Sequence, residues 1–428
     1  MYETDQNIKR RKTILVGVCL GGDDGFEVSM EELSGLAEAE GLEVVADVTQ
    51  NLASQDAACY IGSGKVQELK GLVFELDADL VVVNNQLSPS QLANLAHDLE
   101  VEVIDRTNLI LNIFADRART KEAKLQVDYA KLQYMLPRLV GLRQNLSRQG
   151  GTGGSMSNKG AGETQIELDR RRIEKDMSEL RKQLREITKN RDTQRRKRQA
   201  SGIPQVALVG YTNAGKSTLL NALTGAGIPA NNRLFDTLDT TTRLLTVSDT
   251  LDVVISDTVG FIRKLPHQLV EAFKATLEEL EYADLLLHVI DISDPHWLEQ
   301  AQIVDELIEE LGAQQIPCLR VYNKSDLYFG DIRPHGEDSV NISAKTGEGV
   351  DELLARIDKL LDKGTRRVMI HLPYDKGGLL DMLYREAKVE SVEYGETIDV
   401  AAVCVPRVIG QVKDYIEGYR EPKEDWEE

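Results

Sequence analysis

The chain has 428 residues, 41% of them hydrophobic and 29% charged, and a net charge of −20. That length exceeds one ordinary core, and the composition is that of a folded chain, not a disordered one. No run of 18 apolar residues occurs and no apolar segment follows the basic N-terminus, so the expectation is a cytoplasmic protein without a membrane span or signal peptide. The four cysteines, Cys19, Cys59, Cys318 and Cys404, lie far apart and suit neither a disulfide frame nor a zinc site.

Residues 12–115 alternate apolar runs (Thr13–Leu20, Glu43–Val48, Leu80–Asn84, Val101–Asp105) with amphipathic stretches such as SPSQLANLAHDL. This β/α alternation predicts a parallel sheet covered by helices, with Ser88-Pro-Ser-Gln starting one of them. YIGSGK at 60–65 is too short for a phosphate loop and reads as a turn before a helix. From 116 to 143 the pattern is helical, with Leu125, Tyr129, Leu132 and Leu136 on one face. A glycine-rich tract, RQGGTGGSMSNKGAG, follows at 148–162, and a second helix is expected from Thr164 to Lys189 with Ile166, Ile173, Met177, Leu180, Leu184 and Ile187 apolar. The two would bury each other's stripes as a hairpin.

Charge is distributed unevenly. Residues 115–200 carry +11 while the remainder carries −31, and the basic stretch ends in RDTQRRKRQA at 191–200. A solvated helix usually balances its charges. This one does not, which points to RNA or phosphate contact confined to one unit. The breaker SGIP at 201–204 ends it, and strand-like VALVG, DVVISD, LLLHVID and PCLRVYN then alternate with helices to about residue 362. A small α+β unit closes the chain.

GYTNAGKS fits the Gly-x4-Gly-Lys-Ser phosphate loop, between a strand and a helix as that loop requires. Its residues Gly210, Tyr211, Thr212, Asn213, Ala214, Gly215, Lys216 and Ser217 are candidate phosphate ligands. Glycines turn backbone N–H groups inward, Lys216 reaches the β/γ oxygens, and the Ser217 hydroxyl ligates Mg²⁺. Three later motifs resemble those of small G proteins. In Asn323-Lys324-Ser325-Asp326, Asp326 would accept from guanine N1–H and the 2-amino group, with Asn323 and Lys324 bracing the loop and the base face. In Ser343-Ala344-Lys345, the Ala344 N–H would meet O6. In Asp257-Thr258-Val259-Gly260, Asp257 would reach Mg²⁺ through water and the Gly260 N–H the γ-phosphate. The implied activity is GTP hydrolysis.

Phe235, Asp236, Thr237, Leu238 and Asp239 would lie over the nucleotide. By resemblance to bacterial G proteins, Thr237 is the Mg²⁺ and γ-phosphate ligand, with Thr240–Thr242 as the alternative. Phe261 stands where many GTPases place a water-orienting glutamine, and a phenyl ring cannot orient or deprotonate water. Slow intrinsic hydrolysis is expected, aided by a partner, a moved loop or a cation. Asn213 either ligates K⁺, as in related loops, or only hydrogen-bonds its own loop.

Together with DRTNLILNIFADRARTKEAKLQVDYAKLQYMLPRL (105–139), GAGETQIELDRR (160–171) and DTVGFIRKLPHQLVEAFKATLEE (257–279), these motifs resemble the HflX family of bacterial ribosome-associated GTPases over nearly the whole chain. The resemblance implies an α/β fold: a P-loop GTPase domain (202–362), preceded by an N-terminal α/β unit (1–115) with a long helical hairpin (116–200), and followed by an α+β unit (365–428). It further implies a monomer off the ribosome that binds the 50S subunit and dissociates stalled or idle 70S ribosomes, with hydrolysis resetting it. Arg148, Gly150, Gly151, Lys159, Gly160 and Gly162 would face ribosomal RNA. The tract departs from the family pattern, being stretched by SMSNK and carrying Ala161 where proline is usual. A GTP-independent RNA-binding regulator and a tRNA-modification-type G protein are the competing readings.

Overall fold

The computed structural model describes all residues except 1–9, 23–24, 150–155, 201–202, 226–233, 236–237, 239–240, 266–279, 281, 331–332, 363, 365 and 417–428, and only the backbone of 140–149, 156–166 and 190–200. The N-terminal unit runs β1 (Lys12–Leu20), α1 (Phe26–Ala39), β2 (Glu43–Leu52), α2 (Ser63–Leu76), β3 (Leu80–Val83), α3 (Pro89–Leu99), β4 (Glu102–Asp105) and α4 (Arg106–Arg117). Its sheet is wholly parallel in the order β2-β1-β3-β4. Leu80–Val83 is buried at every position, as a strand covered on both faces must be. Ser88 caps α3 through a reciprocal pair with Gln91, with proline at the first turn. YIGSGK is the turn before α2, whose N-cap is Gly62.

The expected helix from 116 is two helices. α4 starts earlier, at Arg106, because the Asp105 carboxylate caps the Asn108 N–H. The chain turns at Ala118, and α5 (Lys121–Gln149) follows. α5 has two apolar faces. Ala123, Val127, Ala130 and Tyr134 are buried against the N-terminal unit. Leu125, Tyr129, Leu132 and Leu136 form the other stripe, and Tyr129 meets Arg181 of α6 (Met156–Ala200). On α6, Ile173, Met177, Leu180, Leu184 and Ile187 are half-buried.

α6 begins at Met156, eight residues before the sequence expectation, so Lys159, Gly160 and Gly162 lie on helical backbone. Glycine costs a helix about 1 kcal/mol per residue. A helix already nucleated extends at one hydrogen bond per added residue, which offsets two such penalties.

The nucleotide-type sheet is ordered β10-β9-β8-β5-β7-β6, from β5 (Gln205–Gly210), β6 (Thr241–Thr246), β7 (Asp252–Asp257), β8 (Leu285–Asp291), β9 (Cys318–Asn323) and β10 (Ser339–Asn341). It is parallel except for edge strand β6. The helices described around it are α7 (Lys216–Thr224), α8 (Trp297–Glu310) and α9 (Val350–Leu361). β6 was not read in the sequence; it is short and lies at one edge of the sheet, and β10, the short run before Ser343, lies at the other.

The last unit is an antiparallel sheet, β11 (Arg366–Leu372), β13 (Ile398–Cys404) and β12 (Lys388–Tyr394), with α10 (Gly377–Glu386) and α11 (Pro406–Val412) packed on it. Among the described residues no helix is long and apolar enough to cross a membrane.

One core cluster runs from the N-terminal unit into the nucleotide-type sheet. It joins Leu33, Leu36 and Phe114 to Val127 and Tyr134 of α5, and to Tyr211, Phe235, Phe261 and Ile262. Apolar burial is non-directional and holds these elements together as one body.

Candidate nucleotide site

Strand β5 delivers the chain to the carboxyl end of its sheet, where open α/β folds bind ligands. There the segment 210–215 turns back into α7, whose first residue is Lys216. The turn requires left-handed backbone at Asn213 (φ 62°) and at Gly215 (φ 96°). A Cβ on Gly215 would stand 2.2 Å from Asn323 Nδ2, so a side chain is excluded by space as well as by φ. The loop is bonded to the Asp257–Gly260 motif: Thr212 N donates to Phe261 O (2.7 Å) and Phe261 N to Gly210 O (3.2 Å). Gly260 packs so closely that an added Cβ would lie 2.8 Å from Thr212 Cα and 3.2 Å from Lys216 Nζ.

Lys216 is buried and its ammonium donates to the carbonyls of Gly210 (3.0 Å) and Tyr211 (2.8 Å). Burial pushes it down to about 8, with the Asp257 carboxylate opposing the shift. Ser217 Oγ donates to Asp257 Oδ2 at 2.6 Å, and Asp257 is fully buried at the end of β7. A hydroxyl and a carboxylate brought together beside a helix N-terminus form a hard-oxygen donor set that fits Mg²⁺. Thr258, next in the motif, is tied to β5 by its hydroxyl on Leu208 O (2.6 Å).

The third corner is built by Asn323, 1% exposed at the end of β9. Its Nδ2 donates to Ala214 O (2.8 Å) and its Oδ1 accepts from Ala344 N (3.0 Å), so one amide joins the loop 210–217 to Ser343-Ala344-Lys345. Ser343 is buried and accepts from Thr346 N, which shapes that turn, while Lys345 is exposed. Lys324 takes a left-handed conformation and pairs with Asp291 at 2.6 Å. Ser325 N donates to Ile342 O, and Asp326 is exposed in the 3-10 turn Ser325–Leu327.

Phe235 and Leu238 are both 2% exposed in the shared core. Phe235 packs edge-on against Phe114 (4.7 Å between centroids), and its N–H donates to Thr212 Oγ1 (3.0 Å). Their side chains therefore belong to the core, and only their backbone is left to face a nucleotide. Asp236, Thr237 and Asp239 lie outside the described residues, as does Thr240. Thr241 and Thr242 are strand residues of β6, with Thr241 opposite Asp257. Phe261 is 1% exposed, so the residue at the glutamine position is core packing. Asn213 is exposed and, with Thr212, Asp291 and Asp294, lines a cavity of about 840 Å³ that reaches α1. Of the residues expected to face RNA, Gly150 and Gly151 lie outside the described residues. Arg148 lies on the backbone of α5, and Lys159, Gly160 and Gly162 on that of α6.

Three partners of this site were missed in the sequence. Asp291 was legible as a carboxylate ending a buried strand. Glu32 and Arg106, which contact the loop and the segment after Phe261, come from another unit and carry no local signal.

Four family models match in succession: a GTP-binding GTPase N-terminal region at 27–115, its middle region at 117–198, a 50S ribosome-binding GTPase at 205–324 and an HflX C-terminal domain at 333–403. The GTPase HflX of Caldanaerobacter subterraneus is 46% identical over 95% of this chain and 94% of its own. That of Escherichia coli K12 is 39% identical over 89% of each. A crystal structure of a GTP-binding protein from Sulfolobus solfataricus with GDP covers 82% of this chain and 98% of that one at 26% identity and a TM-score of 0.44.

Proposed function

The chain belongs to the HflX family of GTPases and is a GTP hydrolase; from that premise we propose that it binds the 50S subunit in its GTP state, dissociates stalled or idle 70S ribosomes, and is reset by hydrolysis. The observation that carries the reading is the union of the basic hairpin with the phosphate loop: α5 and Tyr211 are buried in one core. A segment of +11 in a chain of −20 gives phosphate affinity to one end only. The acidic remainder discourages indiscriminate RNA binding. We take the units to be 1–115, 116–200, 202–362 and 365–428. The glycine tract at 150–162 lets backbone approach RNA closely, with Arg148 and Lys159 on phosphate.

In this reading the N–H groups of 210–217 and the α7 N-terminus bind the β-phosphate, and Lys216 leaves its own carbonyls for the β/γ oxygens. Ser217, with Thr237 in the GTP state, would hold Mg²⁺, and Asp257 would reach it through water; once bound there, the ion neutralises charge on the transferred phosphoryl group. Gly260 N–H meets the γ-phosphate, Asp326 selects guanine, and a guanine O6 at Ala344 shares that N–H with Asn323. With Phe261 buried, no side chain at this position orients water. Basal turnover is slow, and the ribosome supplies the remainder. Asn213 is the group that would hold K⁺; equal turnover in Na⁺ and K⁺ at fixed ionic strength removes that role.

Sedimentation of 70S ribosomes with the protein and a non-hydrolysable GTP analogue tests the reading. Free 30S and 50S peaks with the protein on 50S are expected. Intact 70S with nothing co-migrating on 50S refutes it.

A further inference from the structure

Two consecutive residues, Asp105 and Arg106, face opposite ways at the end of β4. Asp105 is fully buried and holds the hairpin: its carboxylate accepts from Tyr134 Oη (2.8 Å) and Arg138 Nη2 (2.9 Å) of α5. The Arg138 guanidinium also lies 3.2 Å over the Tyr134 ring. Arg106 faces the nucleotide site. Its side chain is 3% exposed and its Nη2 sits 2.8 Å from Glu32 Oε2 and 3.3 Å from the Arg263 carbonyl. Its Nη1 donates to Asn84 Oδ1 (3.0 Å) and to Ser29 O (3.1 Å), so the guanidinium has no freedom to drift.

Glu32 continues the chain of contacts into the phosphate loop. It accepts from the Tyr211 hydroxyl, and that same hydroxyl accepts from Arg263 N at 2.7 Å. Arg263 is thereby gripped at both backbone groups, its N–H by Tyr211 and its carbonyl by Arg106. It lies two residues after Phe261, in the segment that also holds Gly260 and the residue at the glutamine position. With Phe261 buried, backbone groups of 260–263 are available to order a water near Gly260, and this clamp holds their placement.

We propose that Asp105-Arg106 couples the hairpin to GTP hydrolysis, with Arg106, Glu32 and Tyr211 as positioning residues for the segment 260–263. A displacement of α5 moves Tyr134 and Arg138, hence Asp105, hence the neighbouring guanidinium and the backbone it holds. The elements are contiguous: Asp105 and Arg106 are buried, Glu32, Arg138 and Arg263 are largely so, and hydrogen bonds run to either side of the Asp105–Arg106 peptide bond, as mechanical coupling between separated sites requires. Hairpin docking would thus set the hydrolysis rate, and the same contacts would let the bound nucleotide affect the order of α5. The inference rests on GTP binding at 210–217 and not on ribosome splitting, so either can fail without the other.

The test uses the full chain without ribosomes. Arg106→Lys keeps the charge for Glu32 but loses the planar fork that also spans Asn84 and Arg263. It is expected to lower kcat by about 10- to 100-fold through misplacement near the reacting centre, with GDP affinity and KM within about twofold of wild type. Tyr134→Phe, a conservative change on the hairpin, is expected to lower kcat by about 3- to 10-fold without changing KM. The fold-losses of Tyr134→Phe and Tyr211→Phe are expected not to multiply, because both cut the same chain of contacts. Amide hydrogen exchange over 123–138 is expected to differ between GDP and a non-hydrolysable GTP analogue in wild type, and to lose that difference in Arg106→Lys. If Arg106→Lys does not fold, the two tyrosine variants decide by the same criteria. Tyr134→Phe lowering melting temperature but leaving kcat within twofold, or effects of the two tyrosine changes that simply multiply, overturns the proposal.

Discussion

Asn323→Ala isolates the bridge on which the nucleotide site depends. The wild-type amide is 1% exposed and spends its donor on Ala214 O at 2.8 Å and its acceptor on Ala344 N at 3.0 Å. Truncation leaves a buried carbonyl and a buried N–H without partners, at about 1–3 kcal/mol each. Water entering the space left by the amide moderates this, which gives a total near 2–4 kcal/mol. The bridge joins the phosphate loop to the base loop, so most of that loss should fall on nucleotide binding, about 30- to 1,000-fold in Kd. Fluorescent GDP titration at fixed Mg²⁺ measures it, with xanthine nucleotides as a control. Asn323→Ala should weaken guanine and xanthine nucleotides alike. Asp326→Asn should weaken guanine and improve xanthine, because it replaces an acceptor facing N1–H by an amide that can also donate. A folded Asn323→Ala protein with GDP affinity within threefold of wild type would refute the bridging role.

Three further outcomes follow from particular contacts. Gly260→Ala forces a methyl to 2.8 Å from Thr212 Cα, which is backbone and cannot yield, so single-turnover hydrolysis should fall by about 10²-fold or more; near-normal hydrolysis would mean that Gly260 is not close-packed in the active state. Lys216 is held down at about 8, so in the free protein its charge is lost as pH rises through that value. A phosphate restores the charge, so binding near pH 9 should take up close to one proton per nucleotide, and affinity should fall up to about tenfold per pH unit above 8; calorimetry in buffers of different ionisation enthalpy reads this, and no uptake would contradict it. Glu40, at the C-terminal end of α1, is raised to about 7 first by burial and then by Asp116, against Lys131 and Arg117. With its folded value above the unfolded one, its contribution is intact below pH 4.5 and lost as pH rises through 7. Glu40→Gln should therefore raise stability at pH 8 by about 1 kcal/mol, discounted for partial exposure, and by almost nothing at pH 4. Thermal melts at the two pH values distinguish this from a uniform effect.

What was legible in the sequence was local. GYTNAGKS, DTVG, NKSD and SAK each follow a strand whose burial is written in its own residues, so the phosphate and base loops could be placed without the fold. The hairpin stripes on α5 and α6 were legible for the same reason, since each meets its neighbour at helical spacing. The second face of α5 was not, because Ala123, Val127 and Ala130 are small residues whose partners lie in another unit. Phe261 illustrates the limit well. Its inability to orient water could be read from chemistry alone, but its burial beside Ile262 and Phe114 depends on packing between units. Glu32 and Arg106 lie 179 and 157 residues from the groups they contact, and no window of sequence connects them. The early start of α6 reflects cooperativity of a long helix overriding the glycine penalties of its first turns.

The most direct test of the central claim is light scattering of 70S ribosomes mixed with the full-length protein and GTP, with Lys216→Ala beside it. The account predicts a GTP-dependent fall in scattering as subunits separate, absent with GDP and absent in Lys216→Ala. An equal fall with Lys216→Ala would mean that subunit separation does not use this nucleotide site, and would contradict it.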